Sequence, residues 1–375
     1  MRTLTKFLQI TLLALFLAAN PIFADKPEET VASQNATDEA HHENKKFNAG
    51  ELILEHVSDS HEWHVMTLGG GTEHERHISL PLPCIVKHPT QGWMVFLSSN
   101  FVNHETHQEQ EYEGLKMDEK QHIVVAASGD KVLDLSITKN VFALLISLII
   151  MCAIFLSVAK TYTRRVGQAP TGLQSFVEPL IVFLRDEVAK PSIGPKYERY
   201  LPFLLTIFFF IFINNLMGLI PILPGGANVT GNIAITMVLA LMVFFITTFS
   251  GNKAYWIHII NTPGVPWWLK FPVPLMPIIE LVGVVSKPLV LCLRLFANIT
   301  AGHIIALAFF SLIFIFGEAN AGVGYGVSVV SVAFTIFMNF LELLVAFLQA
   351  YVFTLLASLY FGSAVEEHAH HEDHH

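Results

Sequence analysis

Arg294, His303, Glu342 and Gln349 are polar side chains set inside otherwise apolar sequence. The Arg294 guanidinium stays charged at every physiological pH, so in hydrocarbon its charge must be stabilised in place or used. Snorkelling to a headgroup, or a structural pairing with a nearby acid, would also account for it. His303 and Glu342 both titrate and can together pass a proton through a dry region toward water; Arg294 and Gln349 cannot change protonation near neutrality. One pair is suited to carrying protons and the other to blocking them. A fixed positive charge repels protons and sodium ions and attracts a carboxylate, with Coulomb terms of several kcal/mol even at an effective dielectric of about 20.

Spacing sorts these residues into faces. Glu280, Lys287 and Arg294 recur every seventh residue and drift only about 20° per step around a helix, and Asn298, one turn on, stays near their face. His303 lies about half a revolution from Arg294. Glu342 and Gln349 share a face of a second helix. Folded as an antiparallel hairpin, the two helices bring Arg294 level with Gln349 and His303 level with Glu342, to within about one turn. The implied centre falls on Gly322, within the glycine-rich stretch Gly317–Gly326.

The elements that must hold these residues are membrane helices. The chain has 375 residues, 53% hydrophobic and 14% charged, with mean hydropathy +0.51, a make-up outside that of ordinary soluble domains. The net charge of −9 gathers with the histidines toward the two ends and gives no nucleic-acid footprint. Cys84, Cys152 and Cys292 are scattered, with neither metal spacing nor a disulfide framework. No cofactor, metal or catalytic site of the chain's own is expected.

Val141–Ala159 is continuously apolar and is followed by Lys160, Arg164 and Arg165, which predicts a first transmembrane helix running from outside to cytoplasm. Gly172–Val188 interleaves Phe176, Leu180 and Phe183 with Glu178, Arg185, Asp186 and Glu187, as an amphipathic helix on the cytoplasmic face would. Leu201–Leu223 and Ile233–Phe249 read as a hairpin of spans that visits the outside. Asn214 and Asn215 lie in the first and Asn232 opens the second, where amides either tie helices together or line a wet cavity. Ser250–Lys270 reads as a cytoplasmic connector with interfacial tryptophans. Pro277–Phe316 and Tyr325–Phe361 would each be roughly 55–60 Å long against a hydrocarbon core of roughly 30 Å. Strong tilt, a kink at Pro288 or an in-plane course is therefore required, and the hairpin could wrap the flank of a partner.

Upstream, residues 1–24 have the layout of a signal peptide, with an uncleaved anchor as the alternative. Residues 25–48 read as a disordered tether. Residues 49–138 show short apolar or alternating runs broken by turn signals, which predict a small β-rich exported, periplasmic region. Its many histidines, among them His56, His61, His64, His88 and His122, lack a ligand motif and are expected to be solvated. Residues 139–365 form the membrane domain, and 366–375 a histidine-rich cytoplasmic tail. The fold class expected is a mainly α membrane protein with five transmembrane or strongly tilted helices, an amphipathic cytoplasmic-face helix and the β-rich N-terminal region.

Ser286-Lys-Pro-Leu-Val-Leu-Cys-Leu-Arg-Leu-Phe-Ala-Asn-Ile-Thr-Ala-Gly-His resembles the subunit a family of F-type ATP synthases, and Asn215-Leu-Met-Gly-Leu-Ile-Pro and Phe347-Leu-Gln-Ala-Tyr-Val-Phe are similar to two further family stretches. The resemblance covers about Val141 to Glu367. It implies a proton-conducting stator subunit of the bacterial inner membrane, partnered by the c-ring, the subunit b stalk, the lipid bilayer and translocated protons. Arg294 is then implied to face the c-ring carboxylate between two half-channels, with Gln349 as neighbour. His303, Glu342, Gln349, Asn298, Asn215 and Asn232 are placed on the proton path, and Glu280, Lys287 and Gly302 in support. Acid and histidine stand exchanged at 303 and 342 relative to many bacterial relatives, which keeps one of each at that height, and Gly218 replaces an acid found in some relatives. A stand-alone ion-coupled secondary transporter is the competing reading, weakened by the lack of a second copy of the Arg294 stretch.

Overall fold

A computed structural model describes residues 50, 53, 57–68, 76–102, 110–118, 121–220, 226–260 and 275–366. The expected signal peptide, the tether and the tail beyond Glu366 lie outside the described residues. The described residues fall into two compact units: one holds Phe142–Ile299 and residues 343–366, the other residues 50–141 and Thr300–Glu342.

The β-rich expectation holds for the N-terminal region. Strands β1 (Glu62–Leu68) and β2 (Arg76–Pro81) pair antiparallel, β3 (Pro83–His88) is flanked by β4 (Gly92–Leu97) and β7 (Leu133–Asp134), and β5 (Leu115–Met117) pairs with β6 (Ile123–Val125). Alternation along β3 and β4 sends Cys84, Val86 and Phe96 inward, where they meet Phe101, Leu115 and Ile123. Phe101 packs edge-on to Phe96 with centroids 5.3 Å apart.

Two histidines expected to be solvated are buried. His61 is 2% exposed and His88 8% exposed. His61 Nε2 lies 2.8 Å from Asp134 Oδ2, and a carboxylate partner removes the main penalty for burying an imidazole. Nearby, Asp59 Oδ1 accepts from the Asn140 backbone N–H at 3.0 Å and Asp59 Oδ2 from the Thr138 hydroxyl at 2.8 Å. The acid thereby satisfies donors in the first turn of the first long helix.

Helices follow: α1 (Lys139–Arg164), α2 (Leu173–Phe183), α3 (Tyr197–Leu219), α4 (Ile233–Ser250), α5 (Lys253–Ile260), α6 (Leu275–Ala319) and α7 (Ala321–Val365). Among the described residues, five helical stretches are long and apolar enough to cross a membrane: Lys139–Arg164, Leu173–Leu219, Ile233–Ser250, Met276–Gly317 and Gly322–Val365. The second stretch joins what the sequence reading kept apart. From α2 the backbone passes through a π-helical turn at Leu184–Ala189, a helical turn at Lys190–Ile193 and a 3-10 turn at Gly194–Lys196 straight into α3. Pro191 and Pro195 fall where the helix geometry changes, because each removes a backbone donor.

Aromatic contacts bind α3 to its neighbours. Phe209 meets Phe155 of α1 at 4.8 Å, Phe208 meets Phe347 of α7 at 5.9 Å, and Tyr200 stacks on Phe361 at 5.1 Å. A Cβ at Gly362 would overlap the Ser192 carbonyl, so only glycine lets α7 pass that turn.

α6 and α7 are each 45 residues long, about 67 Å at 1.5 Å per residue. The turn between them is tighter than the glycine-rich loop expected around Gly322: α6 runs to Ala319 and α7 starts at Ala321. Asn320 makes this possible, since its side-chain Oδ1 accepts from the Gly322 N–H at 2.8 Å and its carbonyl from Gly324 at 2.9 Å. The glycines serve close approach instead, for a Cβ at Gly324 would lie 2.7 Å from the Gly317 Cα.

Candidate functional site

His303 of α6 and Glu342 of α7 face each other, with Nδ1 3.9 Å from Oε1 and side chains 22% and 10% exposed. That separation exceeds direct hydrogen bonding but is within reach of a small rotamer change or a shared water. Gly302 makes room for the acid, because a side chain there would overlap Glu342 Oε1. Toward the turn, Phe309 and Phe334 lie 4.2 Å apart by ring centroid, so the hairpin keeps the register that the sequence spacing predicts for this pair. Ser311 and Ser331 are also buried here; the Ser311 hydroxyl donates to the Leu307 carbonyl at 2.8 Å and needs no partner outside its helix.

The arginine level belongs to the other unit. Along this part of α6, Leu291, Cys292, Leu295 and Ile299 are buried, 0–7% exposed, while Leu293, Arg294, Ala297 and Asn298 are exposed. Arg294 and Asn298 thus share an open face, as their spacing predicts. Arg294 forms no ion pair among the described residues, and no hydrogen bond joins it to Gln349, which is buried on α7 at 6% exposure. Glu280 is half-buried. Lys287 is half-buried too, with its ammonium 5.6 Å from the centre of the Tyr360 ring, a cation–π contact on which it rests.

The amides of the hairpin α3–α4 settle differently. Asn215 donates to the Ala346 carbonyl at 3.2 Å and accepts from the Thr230 hydroxyl at 2.7 Å, so it ties α3, α7 and the segment before α4 together. Asn214 donates to the Phe210 carbonyl at 2.8 Å. Asn232 caps α4, accepting from the Ala234 N–H at 2.9 Å. Of these amides, Asn215 holds separate elements together, whereas the bonds of Asn214 and Asn232 stay within their own helices.

Sequence reasoning passed over Thr230, 1% exposed, and the contact of Thr236 with Cys292 Sγ at 3.4 Å that links α4 to α6. Thr230 carried a signal in the polar run Asn228-Val-Thr beside an apolar span; Thr236 carried none, since threonine on a membrane helix commonly bonds its own backbone.

Residues 141–362 match the family described as ATP synthase A chain, and residues 52–142 match one described as a domain of unknown function (DUF8433). The chain is 43% identical over 248 residues to ATP synthase subunit a of Chloroherpeton thalassium, covering 64% of this chain and 69% of that one. Similarity to the protein of the same name from Pelodictyon phaeoclathratiforme is 43% over 248 residues, 64% and 68% of the two chains. With that of Myxococcus xanthus it is 42% over 252 residues, 65% and 78%.

Proposed function

Since the chain belongs to the ATP synthase A chain family and is a multi-pass membrane subunit of an F-type ATP synthase, we propose that it conducts protons to and from a rotating c-ring through two offset half-channels, separated by Arg294. The observation that carries this reading is the separation of labour along α6. His303 faces a titratable partner, Glu342, across 3.9 Å, whereas Arg294 lies on an exposed face and forms no ion pair among the described residues. A guanidinium in an apolar span needs a counter-charge; a carboxylate arriving on the c-ring supplies it, and must lose its proton to do so. Protons enter past His303 and Glu342, load the ring and leave on the opposite side, and the fixed charge stops a direct leak.

In this reading residues 1–24 direct export, 25–48 tether, 49–138 lie in the periplasm and the C-terminus is cytoplasmic. Subunit b contacts the stator, Gln349 neighbours Arg294 once the ring is seated, and Asn215, Asn232, Asn298, Glu280, Lys287 and Gly302 shape the path around the two levels. In inverted membrane vesicles Arg294→Ala is expected to abolish ATP-driven proton pumping; pumping at the parental rate would overturn the assignment.

A further inference from the structure

We propose that the outer face of the three-stranded sheet β4-β3-β7 lies on the lipid surface beside the point where α1 enters the membrane. Strand β4 is apolar on both sides. Phe96 points into the core, while Trp93, Val95 and Leu97 on the opposite face are 56%, 71% and 48% exposed. The ladder places Lys87 opposite Trp93, Ile85 opposite Val95 and Pro83 opposite Leu97, and Leu133 of β7, 44% exposed, opposite Lys87. Cross-strand partners share a face, so these residues form one apolar patch with a single cation. An antiparallel sheet with one covered face ordinarily shows polar residues on the other; this one calls for a second cover.

The chain after β7 says what that cover is. Leu135 N–H donates to the Ile85 carbonyl at 2.8 Å, Ile137 to Pro83 at 3.0 Å and Lys139 to Ser60 at 2.9 Å, so the connection is laid along β3 without slack until α1 begins at Lys139. Leu133 is therefore at most about 20 Å along the chain from the first membrane helix, at roughly 3.3 Å per residue. The chemistry suits the headgroup boundary. Tryptophan is at home there, Val95 and Leu97 reach the upper acyl chains, and Lys87 can lay its stem on apolar surface with its ammonium at lipid phosphates. Four partly exposed side chains offer roughly 400 Å², about half of what a specific protein partner buries on each side, whereas a bilayer sets no such minimum.

The test uses the full chain in proteoliposomes, with the emission lost on Trp93→Phe taken as the Trp93 signal. Phospholipid brominated near the top of the acyl chain is expected to quench that signal at least about twofold, as for an interfacial indole, while aqueous iodide leaves it nearly unchanged. The signal lost on Trp63→Phe, from an indole 4% exposed in the same region, should resist both quenchers. Quenching of Trp93 by iodide in place of bromolipid would show an open aqueous face and overturn the proposal. Resistance to both would mean that protein covers the patch, a second copy or another segment, and would overturn it equally.

Discussion

Two carboxylate–imidazole pairs occur in the described chain, and they are built in opposite ways. Asp134 and His61 touch at 2.8 Å with side chains 9% and 3% exposed, and the other Asp134 oxygen accepts the Ser136 N–H at 2.8 Å. Glu342 and His303 stand 3.9 Å apart with more exposure on the imidazole. In the first pair burial works against both charges, yet the hydrogen bond outweighs it: Asp134 is held below its ordinary range, and His61 is raised by Asp134 and Asp59 despite desolvation. Such a pair locks both groups charged and gives up protons reluctantly. A relay needs the reverse, a pair close enough to exchange a proton but not fixed in one protonation state. The contrast suits the His61–Asp134 pair to a structural role and the His303–Glu342 pair to the proposed transport.

Disabling each pair in turn should break or confirm that division. Glu342→Gln is expected to lower ATP-driven proton pumping in inverted vesicles by roughly 10²-fold, the scale of a positioned proton-transfer group, with the assembled complex still formed; a loss below twofold would remove Glu342 from the path. Asp134→Asn should leave pumping within about twofold and instead destabilise the N-terminal β-rich region by about 3 kcal/mol, the cost of stranding one member of a buried pair. Pulse proteolysis of the membrane-bound protein reads this, and unchanged resistance would show that the pair holds nothing. Gly302→Ala should slow pumping several-fold without loss of assembly, since the added methyl must push the Glu342 carboxylate aside; a parental rate would mean that the carboxylate position is uncritical.

The smallest effect expected is one of pH on the N-terminal β-rich region. Asp134, lowered from 3.8, contributes stability above that pH and loses it as pH falls through the folded-state value. His61, raised from 6.5, contributes stability that is full below that pH and declines as pH rises through the folded-state value. Asp59 is raised, by burial first, from 3.8 and works in the same sense as His61. Protease resistance should therefore be greatest in mildly acid buffer and decline as pH rises beyond about 6.5, and Asp134→Asn should flatten the decline. A profile that rises with pH would reverse the assignment.

Much of this was legible in residue order. Apolar runs too long for any soluble core marked the membrane helices, and short apolar or alternating runs bounded by turn residues marked β1, β2, β4 and β6, because burial leaves its trace on sequence directly. Strand β3, with its two flanking prolines and Lys87 and His88, did not stand out as a strand; its pairing on both sides makes it one. The heights of His303 and Glu342 followed from helical rise alone. Their separation did not, since it depends on Gly302 admitting the carboxylate.

By itself, then, the sequence determined the helices, the shared face of Arg294 and Asn298, and the meeting of His303 with Glu342, all consequences of local periodicity and of one tight turn. Tertiary structure decided what periodicity cannot carry. It buried His61 and His88 against expectation, bound Asn215 to Thr230 and the Ala346 carbonyl, and left the outer face of the sheet β4-β3-β7 apolar. Each of these turns on groups distant in the chain arriving within hydrogen-bonding or van der Waals range, for which one-dimensional spacing holds no record.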